Sequence, residues 1–266
     1  MEQQQASPGL KALFFATGLA AAVLAAGYVM QHPLALASWP WADGRLSNIF
    51  VGSILAAVAL PLLWIGWSGQ FAAAAGGFLH LGVMLGGAAS VLYMLAAAQG
   101  GGRLMAWATG AAAAALASFA LARWAHRLPP RDRRPITRPM RVWFVLYMLI
   151  LVPGGVALLL HMPGVLPWPL KPESSSVYGW IFLSAVCSFV YPLLRPQVEY
   201  VYMGLLGFLA YDLVLLPPFV RHFGAVPPAF HTTLVVYTAA LALTATISLW
   251  YLLISPHTRM AKAPAR

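Results

Sequence analysis

Residues 142–160, VWFVLYMLILVPGGVALLL, decide the fold class of this chain, because these 19 consecutive residues include no charged side chain. A helix needs about 20 apolar residues to cross the roughly 30 Å hydrocarbon core of a bilayer. Membrane β-strands would instead alternate apolar and polar residues over about ten positions. The stretch therefore predicts a transmembrane helix.

Seven further runs have the same apolar character. They are Ala12–Met30, Leu46–Ile65, Phe71–Ala97, Leu104–Ala122, Val177–Leu194, Val198–Phe219 and Thr232–Ile254. Hydrophobic residues make up 61% of the 266 and charged residues 8%, whereas soluble domains average about 45–50% and about 25%. We predict an all-α, polytopic transmembrane bundle of about eight helices.

A cleaved signal peptide is the alternative interpretation of the first run. Lys11 precedes it and Ala35-Leu36-Ala37 follows it, as in the charged region and cleavage site of a signal peptide. The apolar run is long for a signal peptide, so we expect a retained helix.

The distribution of basic residues predicts the orientation of the bundle. Eight spans place both termini on one side, and twelve of the 16 Lys and Arg residues then share that side. Basic residues concentrate in the cytoplasm, so we expect cytoplasmic termini in a multi-pass protein of the cell membrane. The alanine-rich composition, with more Arg than Lys, favours a bacterial inner membrane.

A basic, proline-rich stretch at the centre of the chain predicts its domain organisation. This cytoplasmic linker covers residues 126–141 and separates a first four-helix membrane repeat, 1–125, from a second repeat with a short tail, 142–266. Because each half has an even number of spans, both halves enter the membrane in the same direction. The halves would be parallel repeats related by a pseudo-two-fold axis along the membrane normal.

Weak self-similarity supports this duplication. In residues 32–40 and again in residues 161–169, a histidine precedes a Trp-Pro pair by seven positions. Ser47 and Ser176 keep the same offset of 129. Parallel repeats often hold a binding site at their interface.

Two ionisable residues fall inside predicted spans. Asp212, next to Tyr211, lies deep in the seventh run, and His80 lies in the third. Buried carboxylates in membranes are costly and usually functional, and imidazole titrates near neutral pH. We expect Asp212, His80 and Tyr211 to handle a proton, a cation or a substrate. The alternative is that they make structural hydrogen bonds between helices.

Histidine and methionine pairs at the outer ends of two spans predict a second candidate site. His32 lies beside Met30, and His161 lies beside Met162. Imidazole with thioether suits copper, and paired imidazoles suit haem. The alternative is that these histidines cap helix ends. We predict no resident cofactor, with copper or haem as the alternative.

The arginines of the linker predict contacts with the membrane surface. The candidate headgroup ligands are Arg127, Arg131, Arg133, Arg134 and Arg138. Clusters of basic residues beside a span attract anionic lipids, although a membrane protein partner could also dock there. The net charge of +10 does not indicate nucleic-acid binding, because seven of the basic residues lie in one stretch, between Arg123 and Arg141.

Three functions remain open at this level. The first is a carrier of a small solute, lipid or proton through a cavity between the repeats, with helices broken at Gly-Gly or proline positions. The second is an accessory or assembly subunit of a larger membrane complex. The third is a membrane redox or metal protein. An enzyme is not indicated, because no Walker motif and no Rossmann fingerprint is present. The single cysteine, Cys187, excludes an intrachain disulfide and a cysteine-based zinc site.

Overall fold

A computed structural model describes residues 7–260 and contains eight long helical spans and no strand in that part of the chain. The spans are Pro8–Val29, Arg45–Ser68, Phe71–Gln99, Gly102–His126, Arg138–Leu159, Pro172–Leu194, Glu199–His222 and Pro228–Ile254. All eight are long and apolar enough to cross a membrane. The predicted fold class is confirmed, and no predicted boundary is displaced by more than five residues. The chain is an integral membrane protein.

The helices are numbered in chain order. They are α1 (Pro8–Val29), α2 (Pro33–Ala37), α3 (Arg45–Ser68), α4 (Ala74–Gln99), α5 (Gly102–His126), α6 (Arg138–Leu159), α7 (Pro172–Ala185), α8 (Cys187–Leu194), α9 (Glu199–His222) and α10 (Pro228–Leu249). Proline occupies the first turn of five of them, where its missing N–H costs no helical hydrogen bond. Gly69 and Gly100 end α3 and α4 in the left-handed conformation that glycine adopts without strain.

Four spans form the centre of the bundle and four lie outside it. The central spans are α3, α4, the α7–α8 pair and α9. The outer helix α1 packs along α3, α5 along α4, α6 along α7, and α10 along α9. Between the halves of the chain, α3 packs on α9, and α4 packs on α7 and α8. Each of these contacts joins the second span of one half to the third span of the other.

The two ends of the bundle differ in composition. We call the end that carries the central loop, residues 127–137, the basic face, and the end that carries Trp41 and Trp168 the opposite face. At the opposite face, the Trp41 indole donates to Ser174 over 2.9 Å, and the Trp168 indole donates to Ser47 over 3.0 Å. Both donors and both acceptors are 127 positions apart. The offset of 129 read from the sequence therefore differs by two residues from the one in these contacts.

The helices are more continuous than the sequence suggests. α3 continues through Pro61, α6 continues through Pro153, and α4 contains both of its Gly-Gly pairs without interruption. The sixth span is the interrupted one, at Val186, six residues before Pro192. Proline clashes with the carbonyl four residues earlier in a helix, but in α3 and α6 this clash does not interrupt the helix.

The central loop is held against the bundle by buried acidic groups. Arg134 forms an ion pair with Asp132 at 2.6 Å, and Tyr202 of α9 donates to the same carboxylate over 2.9 Å. The Glu199 carboxylate, also on α9, accepts the backbone N–H groups of Arg131 and Asp132. The loop is therefore docked onto the start of α9 rather than suspended as a free linker.

Candidate functional site

A cavity of about 470 Å³ lies inside the bundle, between the two halves of the chain. Its wall is mostly apolar and includes, from α3, α4, α6, α7, α9 and α10, Phe50, Ile54, Leu62, Phe78, Leu151, Phe182, Phe208 and Leu241. Along α3 it extends from Phe50 to Leu62, which is about 18 Å at the rise of an α-helix. The volume is typical of small-molecule sites, which occupy about 300–1,000 Å³.

The few polar groups of the wall lie near its ends and along one side. His80 and Ser188 lie toward the basic face, and Thr232 and Thr233 lie toward the opposite face. The hydroxyls of Tyr147, Tyr211 and Tyr237 lie on the side formed by α6, α9 and α10. Such a wall suits an elongated apolar molecule with a small polar end better than a hydrophilic solute.

The cavity opens sideways, toward the bilayer, between α6 and α10. Ile150 of α6 and Val236 of α10 both line it, yet 64% and 63% of their surfaces are exposed. The helix α6 packs on α7 and α8, whereas α10 packs on α9. The two outer helices therefore form the edges of the opening. A molecule that enters here comes from the hydrocarbon of the membrane rather than from water.

His80 belongs to the cavity wall near the basic face. It follows the first residue of α4, Ala74, by six positions. His80 therefore lies in the half of the helix that is closer to the basic face. Its Nδ1 lies 2.9 Å from the hydroxyl oxygen of Ser188 on α8. This hydrogen bond joins the third and sixth spans across the two halves.

Asp212 lies at the middle of α9, thirteen residues after Glu199 and ten before His222. Its side chain is fully buried, and neither carboxylate oxygen has a hydrogen-bond partner among residues 7–260. Tyr147 of α6 and Thr244 of α10 lie beside it. The carboxyl group is behind the cavity wall and is not part of the lining.

The residues predicted to form one site are divided between two places. His80 bonds Ser188, and Asp212 makes no hydrogen bond to His80. Tyr211 is hydrogen-bonded through its hydroxyl to Tyr237 of α10. Tyr147, Tyr237 and Ser188 were missed by the sequence reasoning, because hydroxyls in apolar runs are common in membrane helices and carry no motif.

The predicted metal ligands lie at two separate helix ends of the opposite face. His32 caps α2 by accepting the Leu34 N–H over 3.3 Å, and His161 bonds Ser176 over 2.8 Å. Met30 and Met162 are exposed. Residues 7–260 contain no group of three His, Cys, Asp or Glu side chains placed to hold a metal ion.

The loop arginines have different environments. Arg127, Arg131, Arg133 and Arg138 are exposed at the basic face. Arg134 is the exception, since it is engaged by Asp132, Tyr202 and the Arg259 carbonyl. Burial opposes ionisation of Asp132, but the hydrogen bonds from Arg134 and Tyr202 outweigh it and lower the pKa of that carboxyl. The hydrogen bond to Asp132 in turn raises the pKa of Arg134, so both members of the pair are charged at neutral pH.

The chain matches no protein-family model, no curated protein and no solved structure.

Proposed function

We propose that this membrane protein binds and carries a lipid-like amphiphile, a molecule with a long apolar chain and a small polar end. The observation that carries the proposal is the apolar cavity of about 470 Å³ with its opening toward the bilayer between α6 and α10. The cavity has the His80 imidazole and a serine hydroxyl near one end and two threonine hydroxyls near the other, where a polar end group would find hydrogen bonds. A hydrophilic solute would lose its hydration along the apolar walls without compensation.

The proposal includes the arrangement of the halves. Residues 1–125 and 142–266 are parallel four-helix repeats in this account. The reciprocal indole–serine hydrogen bonds and the exchanged helix contacts support it. Twelve basic residues against four support cytoplasmic termini, and the composition supports a bacterial inner membrane. The basic face then meets the cytoplasmic leaflet, and its four exposed loop arginines bind anionic lipid headgroups.

Two glycines on different helices provide a test variant and its matched control. Gly204 of α9 lines the cavity, and a Cβ there would meet Ser188 at an ordinary 3.6 Å. Gly110 of α5 has no atom within 4 Å of its Cβ position. Leucine at position 204 therefore fills the cavity, whereas leucine at position 110 lies on an open helix surface.

The experiment measures energy transfer from the tryptophans to a pyrene-labelled phosphatidylcholine in mixed micelles. We expect saturable binding to the wild type and to Gly110→Leu, and at least tenfold weaker binding to Gly204→Leu. Near-UV circular dichroism checks that both variants fold. Equal binding by the two folded variants, or no saturable binding by the wild type, would contradict the proposal.

A further inference from the structure

Asp212 is an ionisable residue that is enclosed within the membrane bundle. None of its surface is exposed, and both carboxylate oxygens lack a hydrogen-bond partner within residues 7–260. The single ion pair in that part of the chain joins Arg134 to Asp132, in the central loop. An ionised carboxylate is costly in such surroundings unless a cation or several donors face it.

Two of the hydroxyls near Asp212 are engaged elsewhere. Thr244 donates to the carbonyl oxygens of Ala240 and Leu241 over 2.9 and 3.1 Å. Tyr237 shares its hydrogen bond with Tyr211. This geometry suits a neutral carboxylic acid, because an anion would require these groups to rotate or water to enter.

The carboxyl group is one side chain away from the cavity. Tyr147 of α6 lies beside Asp212 and lines the cavity, and so does Tyr237 of α10. These two tyrosines come from the two helices that border the lateral opening. A change of charge at Asp212 therefore acts on both edges of the opening.

We propose that Asp212 is a proton-binding site whose occupancy is coupled to the occupancy of the cavity. With the proton bound, the wall is neutral and accepts an apolar chain. When the proton leaves, the carboxylate attracts the Tyr147 and Thr244 hydroxyls and water, and the cavity loses affinity for the chain. Coupling is reciprocal, so a bound chain also makes the proton harder to remove. This inference rests on the proposed amphiphile binding.

Other titratable groups face the same region and must be separated from Asp212. Tyr147, Tyr211 and Tyr237 surround the carboxyl group, and tyrosines ionise only near pH 10 or above. Among the helices packed on α9, α4 contributes His80 to the cavity wall. Four further groups on the helices packed on α9 do not belong to the lining, namely Tyr93 of α4, Cys187 and Tyr191 of α8, and His231 of α10, and neither does Tyr251, which follows the end of α10. His80 is thus the group to control.

The coupling is tested by measuring the dissociation constant of pyrene-labelled phosphatidylcholine from pH 5 to pH 9. We expect the affinity of the wild type to fall by about tenfold as pH rises, a typical size for coupling between two sites. Because His80 lies in the cavity wall, His80→Gln is judged by the ratio of its affinities at pH 5 and pH 9, which should match that of the wild type. Asp212→Asn should bind at every pH as the wild type binds at low pH. A pH dependence that survives in Asp212→Asn, or disappears in His80→Gln, would overturn the proposal.

A second measurement does not depend on any ligand. Infrared spectroscopy of the protein should detect the C=O stretch of a protonated carboxylic acid at neutral pH. We expect Asp212→Asn to remove a band that Glu199→Gln leaves in place. Glu199 is the matched position because it is the other fully buried carboxyl group of α9. If no such band depends on Asp212, the proton site is excluded even when the probe binds. If the probe does not bind while the band is present, the proposed function fails and the proton site remains.

Discussion

The indole nitrogen of Trp168 lies 3.0 Å from the hydroxyl oxygen of Ser47 and donates a hydrogen bond to it, joining the second half of the chain to the first. The bond from Trp41 to Ser174 repeats this contact with the halves exchanged. Two-fold related units make self-complementary contacts of this kind. The relationship supports the proposed duplication and places both halves around one shared cavity.

Removing the Trp168 donor should destabilise the contact between the halves. Ser47 is fully buried, so Trp168→Phe leaves its hydroxyl without this partner. We expect a loss of about 1 kcal/mol in the free energy of unfolding, measured by thermal unfolding in detergent. Trp107→Phe is the control, because Trp107 is 39% exposed on α5.

A double-mutant cycle separates this bond from general packing. If the two residues interact, Ser47→Ala should cost less in the Trp168→Phe background than in the wild type. Strictly additive losses would show that the bond contributes nothing to the joining of the halves.

The spans themselves could be predicted from the sequence because length and hydropathy are strong signals in a membrane protein. The residue offset that relates the two halves could not be predicted from the sequence. Helices that are apolar around their whole circumference do not reveal which face meets a partner. The two-residue difference between offsets of 129 and 127 corresponds to a rotation of about 200° on a helix, which moves a side chain to the other face.

Breaking the ion pair of the central loop should be costly. Asp132 is 3% exposed, and Arg134→Ala leaves its carboxylate with two donors, the Tyr202 hydroxyl and the backbone N–H of residue 134. Removing one partner of a buried pair typically costs about 3 kcal/mol of unfolding free energy. Arg133→Ala removes the same charge from an exposed position, so it should change stability by less than about 0.5 kcal/mol. Similar losses in both variants would contradict the docked arrangement of the loop.

The same carboxyl group predicts a pH dependence. Its pKa is lowered in the folded protein, despite burial, by hydrogen bonds from Arg134 and Tyr202. The stabilisation is therefore complete above the ordinary pKa of an aspartic acid, about 3.9, and is lost as pH falls through the lower folded value. The stability difference between the wild type and Asp132→Asn should shrink as the pH of the unfolding experiment is lowered from 7 to 3. A stability difference that stays constant over this pH range would show that Arg134 and Tyr202 do not lower the pKa of Asp132.

The sequence contains two signals for the acidic residues that hold the central loop, although neither residue was predicted to do so. Asp132 is the one acidic residue between Arg123 and Arg141, and Glu199 lies at the start of a span. An isolated acid in a basic segment, and a carboxylate at a helix start, are both signals of a specific partner. Which arginine of the cluster pairs with Asp132 depends on the fold of the loop and could not be read from spacing.

The exposed arginines predict an interaction with anionic lipid. Arg127→Gln and Arg138→Gln should each weaken retention of phosphatidylglycerol by about 1 kcal/mol, the usual contribution of a basic residue near a membrane surface. Lipid retained by the purified protein is quantified by mass spectrometry. Arg45→Gln, which removes an exposed charge at the opposite face, serves as the matched control. Equal losses in all three variants would remove the assignment of the basic face as the lipid-binding side.

For Asp212, the sequence predicts the location in the membrane but not the neighbouring side chains. Its position deep in a span could be read from the sequence, and in the structure its side chain is fully buried. Its neighbours could not be read from the sequence, because Tyr147 and Thr244 are far away along the chain and only the tertiary arrangement of α6, α9 and α10 brings them close. The cavity has the same origin, since six of the eight spans contribute to its wall.

The most direct test of the central claim is photolabelling in vesicles that contain a phospholipid with a diazirine in its acyl chain. We predict labelled residues on the cavity side of α6 and α10, such as Tyr147 and Tyr237, and a reduction of that labelling in Gly204→Leu but not in Gly110→Leu. Labelling of the lipid-facing surface, such as Leu149, should be equal in all three proteins. Labels confined to residues like Leu149 would mean that no lipid chain enters the cavity, and the account would be wrong.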